Sequence, residues 1–270
     1  MTDEQPQRPA FADMAPLVSR LETWLTTRTA PPSEVRAGSF DRQAFATRVG
    51  YWPRGRGSPQ VIVGEDVALD LGHPRTASES VVLLTTAVDA VVHGRIRWLG
   101  SDLPELPLRS EHAYAQVVIL RSRADALPDP FAVEAAQYLT HRLDGYMVRS
   151  VPGRLWVRIS RAARARGLDF ETVGRALVAS FTDGFPEIDA VEVVFVTGSV
   201  GDVRALGPIA AEARVMAGSH RKLLLAPDGD FECDDLDCDS CQDKPVCDGL
   251  REVVIKRRRR RHEGAEVPGP

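Results

Sequence analysis

The apolar period of this chain changes once, near Asp129, and that change constrains the fold more than any other feature. Before it, short apolar or alternating runs predict strand after strand: "QVIVGE", "VALDLG", "SVVLLTT", "GRIRWLG" and "AYAQVVIL", parted by Gly, Pro and Asp turns. After it, "DPFAVEAAQYLTHRLDGY" opens with an Asp-Pro cap and spaces Phe131, Ala135, Leu139 and Leu143 along one helical face. Strand "RLWVRIS", helices "RAARARG" and "FETVGRALVASF", strand "VEVVFVTG", helix "GDVRALGPIAAEARVMAG" and strand "KLLLAP" follow. The chain is therefore read as mixed α/β: a strand-rich, antiparallel or mixed first half and a layered α/β second half. With 43% hydrophobic residues it has the material for a real core.

Outside that body the sequence predicts three further pieces. Residues 1–35 read as a flexible arm with one amphipathic helix, "MAPLVSRLETWLTT", whose Leu17, Leu21, Trp24 and Leu25 recur at helical spacing before "RTAPPSE" breaks it. Residues 36–226 form the main domain, 227–258 a cysteine-bearing metal loop and helix, and 259–270 a disordered tail. The N-terminus has no basic start and no apolar core of a signal, and no stretch is long and apolar enough for a bilayer. A cytoplasmic protein without membrane contact is expected, in a compartment that keeps thiols reduced.

That compartment matters because all four cysteines, Cys233, Cys238, Cys241 and Cys247, lie within "CDDLDCDSCQDKPVC". Nine acidic residues between Asp228 and Asp248, against the single Lys244, disfavour bare thiolates. A bound cation or cluster removes the objection, because its charge drives deprotonation. Four ligands crowded into one short loop favour an iron–sulfur cluster, with 4Fe-4S the expected type; zinc is the alternative, then disulfides or unliganded thiols. Such a cluster serves equally as a structural staple or an electron carrier.

Five stretches then stand in a familiar order: "LDLGHPRTASESVVLLTT", "VVHGRIRWLGSDLPEL", "LDGYMVRS", "LWVRISRAARARGLDFETVGRAL" and "DAVEVVFVTGSVGDV". From about Gln60 to Leu225 the chain resembles the acetyl-CoA synthase family, the β subunit of the carbon monoxide dehydrogenase/acetyl-CoA synthase complex. The resemblance is sharpest at "LWVRIS" and "EVVFVT". It implies a redox partner of the carbon monoxide dehydrogenase type, and a [4Fe-4S] centre bridged to nickel that joins methyl, CO and coenzyme A. "CDSCQDKPVC" keeps the family's Cys-x2-Cys-Gln, but the next cysteine comes sooner, Cys233 is extra, and no Cys-Gly-Cys nickel segment follows. The scaffold and the iron–sulfur expectation carry over; the nickel chemistry does not. The family's Arg-rich coenzyme A domain makes Trp156, Arg158, Arg149 and Arg154 candidates to stack on an adenine or pair with phosphates. For Trp156 the bland alternative is a strand residue half in the core, and for the arginines a solvated surface.

Three weaker signals remain. His73 and His93 read as turn residues. "GSVGDV" after "VVFVT" offers a helix start to an anion, without the Gly-x-Gly-x-x-Gly fingerprint. "KRRRRRH", Lys256 to His262, lacks aromatic interleaving, so nucleic acid is a minority reading beside an acidic partner. The expected function is that of an acetyl-CoA-synthase-like iron–sulfur scaffold that binds a coenzyme A-like ligand. The alternatives are a genuine acetyl-CoA synthase component and a non-enzymatic nucleic-acid or assembly protein.

Overall fold

The computed structural model describes residues 13–36, 61–124, 126–128, 132–133, 136–137, 143–151, 154–217, 224–225 and 231–232; at 149–151, 154, 224–225 and 231–232 only the backbone is described. The chain divides into two units, Met1–Ser219 and His220–Pro270. Two mixed sheets and several helices build the first unit, so the α/β class holds.

The larger sheet has five strands: β1 (Ser33–Arg36), β3 (Ser78–Thr85), β4 (Arg95–Leu99), β6 (Tyr114–Ser122) and β9 (Ile188–Val196), in the order β1-β4-β9-β6-β3. Its central strand comes from the second half of the chain and lies between two from the first. β9 runs parallel to β4 and antiparallel to β6. The predicted halves thus describe the order of elements along the chain, while their strands mix within the sheet. The smaller sheet has the order β5-β2-β8-β7, from β2 (Val67–Leu71), β5 (Ser110–His112), β7 (Tyr146–Val151) and β8 (Arg154–Ser160). "QVIVGE" gives no strand over Val61–Val63; a 3₁₀ turn at Gly64–Asp66 precedes β2 instead.

Strand alternation divides the core in two. One face of β9 carries Val191, Val193 and Phe195, which pack with α3 (Phe170–Gly184) and the inner side of the smaller sheet. Asp169 caps α3 by accepting from the Thr172 amide at 2.7 Å, and Val173, Leu177 and Phe181 follow at helical spacing. Phe170 and Phe195 stack at 4.5 Å, with Tyr114 beyond them. α3 approaches the sheet so closely that a Cβ on Gly174 would lie 2.6 Å from a methyl of Ile96. The short α2 (Arg161–Ala165) joins β8 to α3, capped by Ser160.

The opposite face carries Val194 and Val196, covered by α1 (Ala15–Thr26), α4 (Val200–Ala205) and α5 (Gly207–Met216). The predicted amphipathic helix is α1, and it lies flat on this face with Leu17, Leu21 and Leu25 buried. Each such leucine contributes about 1.5–3 kcal/mol. Its Glu22 reaches Arg97 on β4, whose guanidinium also bonds Glu192, the buried carboxylate of β9.

In the second unit the described residues are β10 (Leu224–Leu225) and β11 (Phe231–Glu232), an antiparallel pair. The four cysteines, Lys256 to His262, the helix expected from "GLREVVIKRRRRR" and the 259–270 tail lie outside the described residues.

Candidate functional site

The outer face of the smaller sheet brings together three of the side chains that the sequence pointed to, Trp156, Arg158 and His73. Along β8 the pleat turns Leu155, Val157 and Ile159 into the core and Trp156 and Arg158 outward. Arg149 pairs with Trp156 in register and Arg154 with Val151, so both candidates stand on β7 and β8 beside them; their side chains lie outside the described residues.

Trp156 and Arg158 are half-buried and joined by one carboxylate. Asp70 Oδ1, from β2, accepts from Trp156 Nε1 at 2.8 Å and from Arg158 Nε at 3.0 Å. The Arg158 guanidinium also lies over the indole, 4.7 Å from its centroid, and donates from Nη1 to the Ile62 carbonyl at 3.2 Å. A ligand ring seeking that indole face would have to displace the guanidinium, which already makes a cation–π contact.

His73 meets the indole edge-on, 5.0 Å between centroids at 85°. Its position follows from the turn that precedes it. Gly72 has φ +66°, and a Cβ there would lie 2.3 Å from the Leu155 carbonyl oxygen. Only glycine satisfies both conditions. His73 Nδ1 accepts from the Arg75 amide at 3.2 Å and lies 3.4 Å from Glu111 Oε2. Arg75 binds Glu111 through two nitrogens, and these bonds hold the Glu111 carboxyl below the usual carboxylate range. His73 is therefore part of the constellation, whereas His93 supports the fold, its Nδ1 accepting from the Val191 amide of β9.

Two cavities open at one end of this sheet. The first, about 290 Å³, lies between the Asp144–Arg166 ion pair and the start of α3 at Asp169 and Glu171. The second, about 410 Å³, is lined by Ile62, Asp66, Asp144, Ser160, Arg161 and Arg166, and so reaches the residue that anchors Arg158.

The helix start in "GSVGDV" is closed to an anion. Ser199 and Asp202 form a reciprocal capping box, Asp202 Oδ2 accepting from the Ser199 amide at 3.0 Å. Asp202 also binds Arg28 at 2.7 Å. The Ser-x-x-Asp spacing is a capping signature, so sequence reasoning had the signal to see this. It missed Asp70, Glu111 and Arg75 as well; the one hint was an acidic residue inside the apolar strand "VALDLG".

Among the described residues no group of three or more His, Cys, Asp or Glu is placed to hold a metal. The only thiol donors, Cys233, Cys238, Cys241 and Cys247, lie outside those residues. Among the described residues, too, no helix is long and apolar enough to cross a membrane.

No curated protein matches the chain. Residues 58–200, from the approach to β2 through the first residue of α4, match the family model described as the CO dehydrogenase/acetyl-CoA synthase complex beta subunit. That match spans just over half of the 270 residues and contains the whole outer-face constellation, so the chain belongs to the CO dehydrogenase/acetyl-CoA synthase beta-subunit family.

Proposed function

We propose that this chain is an iron–sulfur scaffold protein of its family: its outer sheet face takes a coenzyme A-like ligand, and its cysteine loop carries the cluster. The observation that carries this reading is the family match over residues 58–200 with Trp156, Arg158 and their carboxylate partner inside it. The indole and guanidinium supply an aromatic surface and a phosphate-binding fork, with Arg149 and Arg154 at neighbouring register positions. The 410 Å³ cavity beside Ile62 offers room for the remainder of an extended ligand.

The donor set of the cysteine loop suits a cluster. Four thiols within fifteen positions amid nine carboxylates supply four anionic sulfur ligands, and the surrounding negative charge favours the oxidised form. Bound there, a [4Fe-4S] centre would staple the loop or pass single electrons to a carbon monoxide dehydrogenase-type or other redox partner. The residues that would hold it are Cys233, Cys238, Cys241 and Cys247. They lie beyond the matched residues, so this half of the reading rests on their spacing and chemistry.

Anaerobic purification followed by iron, sulfide, zinc and nickel analysis tests the cluster. About four irons and four sulfides per chain are expected; a colourless protein with one zinc removes the electron-transfer role. Calorimetric titration with coenzyme A tests the face. Binding that weakens at least tenfold in Arg158→Gln is expected, and binding indifferent to that change removes the site.

A further inference from the structure

The polar groups that a ligand would use on this face are already held by the protein itself. Asp70 Oδ1 takes the indole N–H of Trp156 and the Nε–H of Arg158 together, at 2.8 and 3.0 Å. The pair is neither deep nor loose: the Arg158 and Asp70 side chains are 20% and 18% exposed. Arg158 is fastened again by the Ile62 carbonyl, so its fork stands in place without a ligand. An oxygen that bridges a guanidinium and an indole donor occupies the place where a phosphate or carboxylate oxygen would bind.

We infer that Asp70 is an internal competitor: a carboxylate that stands in for an anionic ligand at Arg158, keeps Trp156 and Arg158 in binding geometry, and must yield Arg158 when an oxyanion arrives. This rests on the reading that the outer face is a ligand site. Asp70 is a positioning residue and touches no ligand. The ligand class follows from the chemistry: an oxyanion able to offer more than one oxygen can take the guanidinium fork, while Asp70 keeps the indole. A neutral ligand gains nothing from the exchange.

Removing the charge of Asp70 and keeping its shape separates competition from structure. Asp70→Asn retains an oxygen able to accept from the indole, so Trp156 stays in place while Arg158 loses its ion pair. Inorganic pyrophosphate is the probe, titrated at low ionic strength into the full-length wild type, Asp70→Asn and Asp70→Asn/Arg158→Gln. Binding is followed by calorimetry and by the Trp156 indole N–H resonance, assigned with Trp156→Phe. Pyrophosphate should bind Asp70→Asn about tenfold more tightly than wild type, with the gain lost in the double variant. Equal affinity for wild type and Asp70→Asn overturns the inference, as does a gain that survives in the double variant, or no binding to any of the three. Asp70→Ser provides the same comparison should the amide not be tolerated. A parallel titration with coenzyme A separates the two readings. If coenzyme A moves the Trp156 resonance but Asp70→Asn changes nothing, the competitor role falls and the ligand site stands. If pyrophosphate behaves as expected and coenzyme A leaves Trp156 unmoved, the competitor role stands and the coenzyme A reading falls.

Discussion

Two arginine–carboxylate clusters in this protein use the same chemistry in opposite settings. Beneath α1, Arg97 donates to Glu192 at 2.5 Å and to Glu22 at 2.9 Å, while Arg95 lies 2.8 Å from Glu192. The Glu192 side chain is fully buried and that of Arg97 is 6% exposed. On the outer face of the smaller sheet, Arg158 pairs with Asp70 and Arg75 with Glu111, half-buried or exposed. Both clusters are formally neutral. The difference lies in desolvation. Glu192 and Arg97 in the first have almost no water to fall back on if a partner is lost; Arg75 and Glu111 in the second can exchange theirs for solvent. One cluster fixes how a helix sits on a sheet, and the other keeps its ion pairs within reach of water.

Breaking the buried cluster should have the largest effect. Glu192→Ala leaves Arg95 and Arg97 without their central carboxylate, and denaturant unfolding should show a loss of about 3–5 kcal/mol. A loss below about 1 kcal/mol would mean that the two clusters do not differ as described. Next comes the backbone that carries the outer cluster. Gly72→Ala forces a side chain into a left-handed turn and onto the Leu155 carbonyl, and should cost about 2–3 kcal/mol by the same assay. The outer face would then be rigid in its backbone and soft only in its ion pairs.

Glu22→Gln keeps the shape of α1 and removes one charge from beneath it. A loss of about 1–2 kcal/mol is expected, with faster hydrogen exchange in α1 than in α3. Asp70→Asn should fall under about 1 kcal/mol, because the Arg158 pair keeps contact with water. A loss as large as that of Glu192→Ala would make Asp70 a fold residue and erase the comparison.

The smallest effect is one of pH. Partial burial alone would raise the Asp202 carboxyl, but the Ser199 hydroxyl and amide and the Arg28 guanidinium outweigh it and hold it below the usual range. A carboxyl depressed in the folded state stabilises above its unfolded pKa and ceases to do so as pH falls through its folded value. Asp202→Asn should therefore lower the melting temperature near neutrality and flatten the acid limb, so that the two curves converge at low pH. A parallel shift of the whole curve would contradict that sign.

How much of this could be read in advance depended on the range of the interaction. The spacing of Leu17, Leu21 and Leu25 named α1, and "RLWVRIS" named both a strand and its outward Trp156 and Arg158. Local rules were sufficient there, because a helix or a pleat repeats within a few residues. The Ser199–Asp202 box is equally local, and it takes the amides that the helix start in "GSVGDV" would otherwise offer an anion. Asp70 was out of reach: its partners stand 86 and 88 residues away along the chain.

The sequence alone determined the kind of protein: mixed α/β, with residues 58–200 of a recognisable family and all thiols confined to one acidic stretch. It did so because periodicity, turn chemistry and cysteine spacing are written in neighbouring residues. The tertiary structure decided which charges meet. It placed β9 between β4 and β6, so that Glu192 faces Arg97, and β2 beside β8, so that Asp70 holds Trp156 and Arg158. Which strands become neighbours sets those encounters, and that is decided by distant segments packing together rather than by the pattern within one strand.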